Sequence, residues 1–138
     1  LGLLAFDGVA ASVFGAEITG TVDKVVDGDT FWICDPNACH KIRLCGIDAP
    51  EFELSAGVDA KAALADLIGG QLLGCIPVGE GTVCDGRSRR TSHDRIVAQC
   101  LGDANIAEVM VRPEHVCDWV RFSGGHYGRG SSDAVCRK

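Results

Sequence analysis

The sequence contains no Cys-x-x-Cys pair, no histidines at metal-binding spacing and no surplus of basic residues, and each of these gaps disfavours a class of protein. Its eight cysteines stand at positions 34, 39, 45, 75, 84, 100, 117 and 136, and none has the close pairing by which zinc ribbons hold their metal. His40, His93, His115 and His126 are scattered and read as solvated or incidental. Lysine and arginine number 13 against 19 aspartates and glutamates, giving a formal net charge of −6. A domain whose affinity came from extended neutralisation of phosphates would be basic. The balance therefore argues against tight, extended binding to nucleic acid, while leaving room for hydrolysis at one small, locally basic site. No apolar run reaches the roughly eighteen residues of a membrane-spanning helix, and there is no internal repeat or linker. With 138 residues, 46% hydrophobic and 23% charged, the chain has the composition of one globular domain with a core of its own.

The even and high cysteine count favours a disulfide framework formed in an oxidising compartment, secreted or periplasmic. The blander alternative is that several are simply buried small hydrophobes. Spacing does not fix connectivity. The pairings we expect are Cys34 with Cys39 across a hairpin mouth, Cys84 with Cys100 between neighbouring strands and Cys117 with Cys136 tethering the tail, which leaves Cys45 with Cys75.

Leu1 to Ala16 is apolar and small. It reads either as the remnant of a secretory signal, with Val13 and Gly15 at the small-residue positions before a cleavage point, or as an N-terminal extension packed as a short helix or strand. Asp7 counts against the first reading. Residues 17–138 form the domain proper.

Along that domain, Glu17 to Val26 loosely alternates as a first strand with a bend at Gly20. Thr30–Cys34 and His40–Cys45 are the second and third strands, rich in β-branched and apolar residues and separated by Asp-Pro-Asn turn chemistry. Ser55 or Asp59 is expected to cap a helix that Gly69-Gly70 ends. The stretch 71–85 divides poorly; Val83-Cys84 is the candidate fourth strand. Gly86 to Asp94 is a polar, basic loop, Ile96–Leu101 the fifth strand, and Asn105 or Asp103 the cap of a second helix over Ile106–Val111, stopped by Pro113. Beyond Trp119 a glycine-rich loop is expected, with at most one helical turn at Asp133–Arg137. Five strands with one helix after the third and another after the fifth predict a mainly β, α+β domain: a five-stranded OB-type barrel, a fold whose faces and loops bind oligonucleotides or oligosaccharides.

The chemistry concentrates between Val26 and Glu51. V-D-G-D-T-F-W-I-C and K-I-R-L-C-G-I-D-A-P-E place Asp29, Asp48, Glu51 and Arg43 at the ends of two adjoining strands. Hard cations such as calcium take carboxylate and backbone carbonyl oxygens, and the arginine fork suits the two oxygens of a phosphate. A site with both can grip a metal and a phosphodiester together. Singly, an Asp-Gly-Asp is usually a turn and a strand arginine a surface ion pair.

V-D-G-D-T followed by I-R-L-C-G-I-D-A-P-E resembles the paired signature of the staphylococcal nuclease (thermonuclease) family. D-R-I-V-A-Q-C, Asp94 to Cys100, resembles its third block and N-I-A-E-V-M-V the helix after it, so the likeness runs from about Thr19 to Tyr127. The resemblance implies the same OB fold and a calcium-dependent nuclease acting on DNA or RNA. It implies Asp29, Asp48 and the main-chain carbonyl of Ala49 as calcium ligands, Glu51 as the base toward the attacking water, and Arg43 and Arg95 as the holders of the scissile phosphate. The pattern departs from the family where Ser92 and His93 replace a substrate-flanking lysine and tyrosine, and where F-E-L-S-A-G-V-D replaces a lysine-rich loop, so a weaker grip on substrate is expected. R-S-R-R at 87–90 is ordinarily a solvated loop, a phosphate-facing strip being the lesser reading. The alternative function is a catalytically idle OB-fold module that binds a polysaccharide or protein. Relatives described as exopolysaccharide (succinoglycan) biosynthesis proteins point that way, as does the acidic charge.

Overall fold

Alternation along the chain produces the barrel. In the computed structural model, which describes residues 17–128, β1 (Ile18–Asp27) runs antiparallel to β2 (Thr30–Cys34), and β2 runs antiparallel to β3 (Cys39–Leu44). On one face, Phe31, Ile33, Ile42 and Leu44 are wholly buried, while Trp32 and Lys41 between them stay half exposed. This is the period-2 pattern that fixes strand register. β4 (Ile47–Asp48) then turns away to pair with β8 (Cys117–Asp118).

The helix α1 (Ser55–Ile68) follows β4 and buries Ala60, Leu64 and Ile68 against the barrel. β5 (Leu72–Pro77) returns antiparallel to β1, and β7 (Arg95–Leu101), with the short β6 (Thr91–Ser92) on its edge, pairs with β5. A parallel pairing of β3 with β7 through Ile42↔Ile96, Arg43↔Val97 and Leu44↔Ala98 closes the circle. Closure leaves the five long strands with no free edge between β3 and β7, the usual protection for an all-β core. Among the described residues the architecture is thus an OB-type barrel with three helices, α1, α2 (Ile106–Val111) and α3 (Val120–Ser123).

Several details depart from the sequence reading. The fourth barrel strand is Leu72–Pro77, not Val83-Cys84. Gly74 and Pro77 mask the strand in sequence, but Gly74 is paired to Thr19 and Pro77 stands at the strand end, where a missing donor costs little. Val83 lies in a turn, and its N–H is taken by the Gln99 side chain at 3.0 Å, not by a ladder. Neither Ser55 nor Asp59 caps α1: the N-cap is Leu54, in extended backbone and without a side-chain cap. The first turn instead lies on the preceding backbone, so closely that a Cβ on Gly57 would stand 2.0 Å from the Glu51 carbonyl oxygen. Asn105 does cap α2, its side chain accepting from the Ala107 N–H at 3.0 Å. The expected loop after Trp119 begins as the single turn α3, held by the buried Asp118, which accepts from the Ser123 hydroxyl and, at 2.9 Å, from the Gly128 N–H.

The disulfides also regroup. Cys34–Cys39 forms as expected at a cross-strand pair of β2 and β3. Cys100 bonds to Cys75, its register partner across β5 and β7, and Cys84 bonds to Cys45. Both pairings correct the sequence expectation. The correction follows from the strand error: with residues 72–77 as the neighbour of β7, Cys75 stands opposite Cys100 and Cys84 falls in the turn beside Cys45. Cys117 is disulfide-bonded as well. Its expected partner Cys136, the turn at Asp133–Arg137 and the segment Leu1–Ala16 lie outside the described residues.

Candidate active site

The site is built where β1 turns into β2. Gly28 allows the approach: a Cβ there would come within 2.7 Å of the Ala60 methyl and 3.0 Å of the Ala49 methyl, so the turn presses against both α1 and the chain after β4. That contact sinks Asp29 and Thr30 into the rim, 6% and 1% exposed. One Asp29 oxygen accepts from the Ala49 N–H at 3.0 Å and the other from the Thr30 hydroxyl at 2.8 Å.

Arg43 sits on β3 directly opposite Thr30. Its Nη2 lies 3.4 Å from Asp29 Oδ2 and 3.8 Å from Asp48 Oδ1, while Nη1 donates to the carbonyls of Leu44 and, at 2.9 Å, Ile47. The guanidinium is thereby held between two carboxylates with its side chain only 12% exposed. Arg95 enters from β7. Its Nε and Nη2 donate to the Ser92 carbonyl at 3.2 Å and hydroxyl at 2.9 Å, and Nη1 reaches the Thr30 hydroxyl at 3.2 Å. Ser92, read from the sequence only as a lost lysine, serves here as the seat of Arg95.

The structure thus brings Asp29, Asp48, Arg43 and Arg95 together. Ala49 is buried beside them with its N–H on Asp29. Glu51 lies three residues past Asp48 with an exposed side chain, its backbone fixed by the Leu54 N–H at 3.0 Å and by the overlying turn of α1. Two participants escaped the sequence reading. Thr30 links Arg95 to Asp29, and the signal for it was a hydroxyl inside the V-D-G-D-T motif at a position the strand pattern buries. Asp27 accepts from the Asp29 N–H at 3.1 Å.

Electrostatics separates the two aspartates. Burial, then hydrogen bonding to Asp29 and its charge, pushes the Asp27 carboxyl up to about 6. Burial works against ionisation of Asp29 too. There the Arg43 guanidinium, together with hydrogen bonds from Asp27, Thr30 and Ala49, outweighs it and holds the carboxyl below its ordinary value. Asp29 is the stronger acid of the two and the first to ionise as pH rises.

Can these residues hold a cation? Among the described residues no group of three or more His, Cys, Asp or Glu side chains is arranged to do so. Asp29 and Asp48 nevertheless converge on one positive atom and supply only oxygen, the donor chemistry that a hard cation prefers. They fit calcium as a partial set, with remaining positions left to a carbonyl, water or phosphate oxygens. Beside Arg43 opens a cleft of about 280 Å³, lined by Ser88, Arg89, Trp119, Arg121 and Phe122 among others. Its rim is basic although the chain is acidic.

A closed OB-type barrel that carries two carboxylates around a buried guanidinium at its rim, next to an arginine-bordered cleft, defines the class of this molecule. No family model matches the chain. It is 31% identical over 102 residues to a protein of Escherichia coli named "Uncharacterized endonuclease", covering 72% of this chain and 60% of that one. It is 38% identical over 60 residues to "Protein ParB" of Escherichia coli, covering 44% of this chain and 34% of that one. The chain thus spans a third to three fifths of the length of these curated relatives, at 34% and 60%.

Proposed function

We propose that this protein is a calcium-dependent phosphodiesterase of the staphylococcal nuclease type, hydrolysing DNA or RNA in an oxidising, secreted or periplasmic setting. The observation that carries the proposal is the Arg43 guanidinium bracketed by Asp29 and Asp48 at 3.4 and 3.8 Å, with Arg95 joined to the same cluster through Thr30. The named endonuclease relative supports the same class, and three disulfides support the compartment.

In this reading Asp29, Asp48 and the Ala49 carbonyl hold the calcium ion, which when bound lowers the charge on the phosphate and helps offset what develops in the transition state. The residues of the chain do the rest. Arg43 and Arg95 offer forked donors to the non-bridging oxygens of the scissile phosphate by exchanging contacts with Asp29, Asp48 and Thr30 for it, while the Leu44, Ile47 and Ser92 carbonyls keep both guanidinium groups at the rim where the charge builds. Glu51 orients a water molecule and accepts its proton as the water oxygen bonds to phosphorus. The P–O bond to the leaving group breaks with its electron pair, and that oxygen takes a proton from solvent.

The test is digestion of single-stranded DNA and RNA with calcium and with a chelator. Cleavage confined to the calcium arm supports the proposal; none in either arm rejects it. A second reading, an idle binding module for a polysaccharide, is favoured by the net charge of −6. The basic cleft beside Arg43 weighs against it, since a neutral sugar needs no cluster of guanidinium groups.

A further inference from the structure

We infer that Asp118, a buried carboxylate outside the site proposed above, is a positioning residue for it: by closing the turn that follows β8 it fixes β8, and through β8 the two residues of β4 that seat the Arg43 guanidinium. The role of the seated groups rests on the phosphodiesterase reading; the seating itself does not.

Arg43 depends on β4. Its Nη1 donates to the Ile47 carbonyl at 2.9 Å, and its Nη2 lies 3.8 Å from Asp48 Oδ1. Ile47 and Asp48 are the whole of β4. The fork therefore takes part of its orientation from a strand of two residues, too short to hold itself in place. Among the described residues β4 belongs to no sheet but the one it forms with β8, Ile47 facing Asp118 and Asp48 facing Cys117. The Trp119 N–H continues that pairing by donating to the Gly46 carbonyl at 2.8 Å.

β8, Cys117 and Asp118, is as short as β4, so the two would fray together without an anchor outside the pair. Asp118 supplies one. It is 6% exposed, and its oxygens are taken by separate donors: Oδ1 accepts from the Ser123 hydroxyl and Oδ2 from the Gly128 N–H at 2.9 Å. Ser123 is buried as well and accepts from the Gly125 N–H at 2.9 Å. The chain from Trp119 to Gly128 is thereby closed around one carboxylate.

That closed turn is fastened at both ends. Tyr127 joins the barrel core, and its hydroxyl accepts at 3.2 Å from Asn105, the residue that caps α2. Ser123 packs against the chain entering β4, so closely that a Cβ on Gly46 would stand 3.0 Å from the Ser123 Cβ. Contacts thus run unbroken from the core through Tyr127, Asp118 and β8 to β4 and Arg43. A buried carboxylate is costly and is tolerated only where its hydrogen bonds are made. Here both partners donate, so an amide at 118 would turn its NH₂ toward one of two donors.

Two variants test the inference. Asp118→Asn keeps the size of the side chain and mismatches one bond. Ser123→Ala leaves the carboxylate and its Gly128 bond in place, so it remains readable even where the first does not fold. Leu73→Val trims a buried side chain of β5, a strand that pairs with neither β4 nor β8, and controls for lost stability. In proton–nitrogen correlation spectra the Arg43 Nε–H resonance, assigned by its loss in Arg43→Lys, should shift or broaden in both test variants. The Arg95 resonance, whose guanidinium is seated by Ser92 and Thr30, should stay in place. Calcium affinity, read by calorimetry, should fall on the order of tenfold, the scale of loss when the support behind a metal ligand is removed. Leu73→Val should move neither readout. An Arg43 resonance that Ser123→Ala leaves unchanged, or that Leu73→Val moves as much, confines Asp118 to capping its own turn and overturns the inference. A wild type that binds no calcium and cleaves nothing, but whose Arg43 resonance still moves in the test variants alone, keeps the inference and overturns the phosphodiesterase.

Discussion

Thr30 donates its hydroxyl proton to Asp29 Oδ1 at 2.8 Å while its oxygen accepts from Arg95 Nη1 at 3.2 Å. One buried hydroxyl of β2 thus fixes a carboxylate of the β1–β2 turn against an arginine of β7, a strand that is not a neighbour of β2 in the barrel. Thr30→Val keeps the shape and deletes both bonds. With the position 1% exposed, water cannot readily replace them, and leaving polar groups unpaired costs about 1–3 kcal/mol. Urea denaturation should show that loss, and Thr30→Ser should recover most of it. A Thr30→Val protein as stable as the wild type would remove Thr30 from the site.

The disulfides give a second prediction, in which loop length ranks the bonds. Cys45–Cys84 closes a separation of 39 residues and Cys34–Cys39 one of 5. In the chain-entropy picture these restrain the unfolded state by about 4 and about 2 kcal/mol respectively. Cys45 and Cys84 are also buried, at 2% and 0% exposed, so a double Cys→Ser change there adds unpaired hydroxyls to the core, whereas Cys39 faces solvent. Cys45→Ser/Cys84→Ser should therefore lower Tm well beyond Cys34→Ser/Cys39→Ser. Thiol titration of denatured, unreduced protein should find few free cysteines; six or more would reject the framework.

Why the sequence yielded some of this and not the rest can be traced to individual residues. Asp29, Arg43 and Asp48 were legible because their neighbours Phe31, Ile33, Ile42, Leu44 and Ile47 alternate cleanly, which places both strands and aims the intervening polar side chains at one rim. The register of β2 and β3 made Cys34–Cys39 legible for the same reason. β5 was not, since Gly74 and Pro77 erase the alternation that betrays a strand, and two disulfide pairings were lost with it. α1 was placed by Leu64 and Ile68, but its start follows from tertiary contact between Gly57 and the Glu51 backbone, which no local capping rule reports. Arg89 lies far in the chain from Trp119 and Arg121, and the bond from the Trp119 N–H to Gly46 and the Cys45–Cys84 disulfide bring the two stretches to one cleft.

The turn after β5 yields a prediction about pH. Asp85 accepts from the Gly79 N–H at 2.6 Å, the Gly81 N–H at 2.8 Å and the Thr82 hydroxyl at 2.6 Å. The Thr82 hydroxyl foremost, with the backbone donors, outweighs a small effect of burial and holds the carboxyl down to about 2. A carboxyl lower in the folded than in the unfolded chain contributes stability above its unfolded value of 3.8, lost as pH falls through about 2. Carbon-detected NMR titration should place the Asp85 midpoint near the lower figure. Asp85→Asn should remove this part of the acid sensitivity, and an Asp85 midpoint near 3.8 would show that the turn does not hold its carboxylate.

The last prediction separates enzyme from binding module at the level of single atoms. If Arg43 and Arg95 oppose transition-state charge, Arg43→Lys should lose much of kcat despite keeping its charge. One ammonium cannot reach Asp29, Asp48 and two phosphate oxygens with the geometry of a fork. Glu51→Gln keeps the size of the side chain on its exposed turn but cannot take a proton, so nucleic-acid affinity should persist while turnover falls. Each change should cost on the order of 10²-fold or more in kcat. The Glu51→Gln rate should climb as pH rises above neutrality, because hydroxide then supplies what the missing base would have generated. Single-turnover cleavage of a labelled oligonucleotide across pH, with binding measured in parallel, distinguishes these effects. Variants that cleave at the wild-type rate would strip Arg43 and Glu51 of their roles and return the barrel to the binding-module reading.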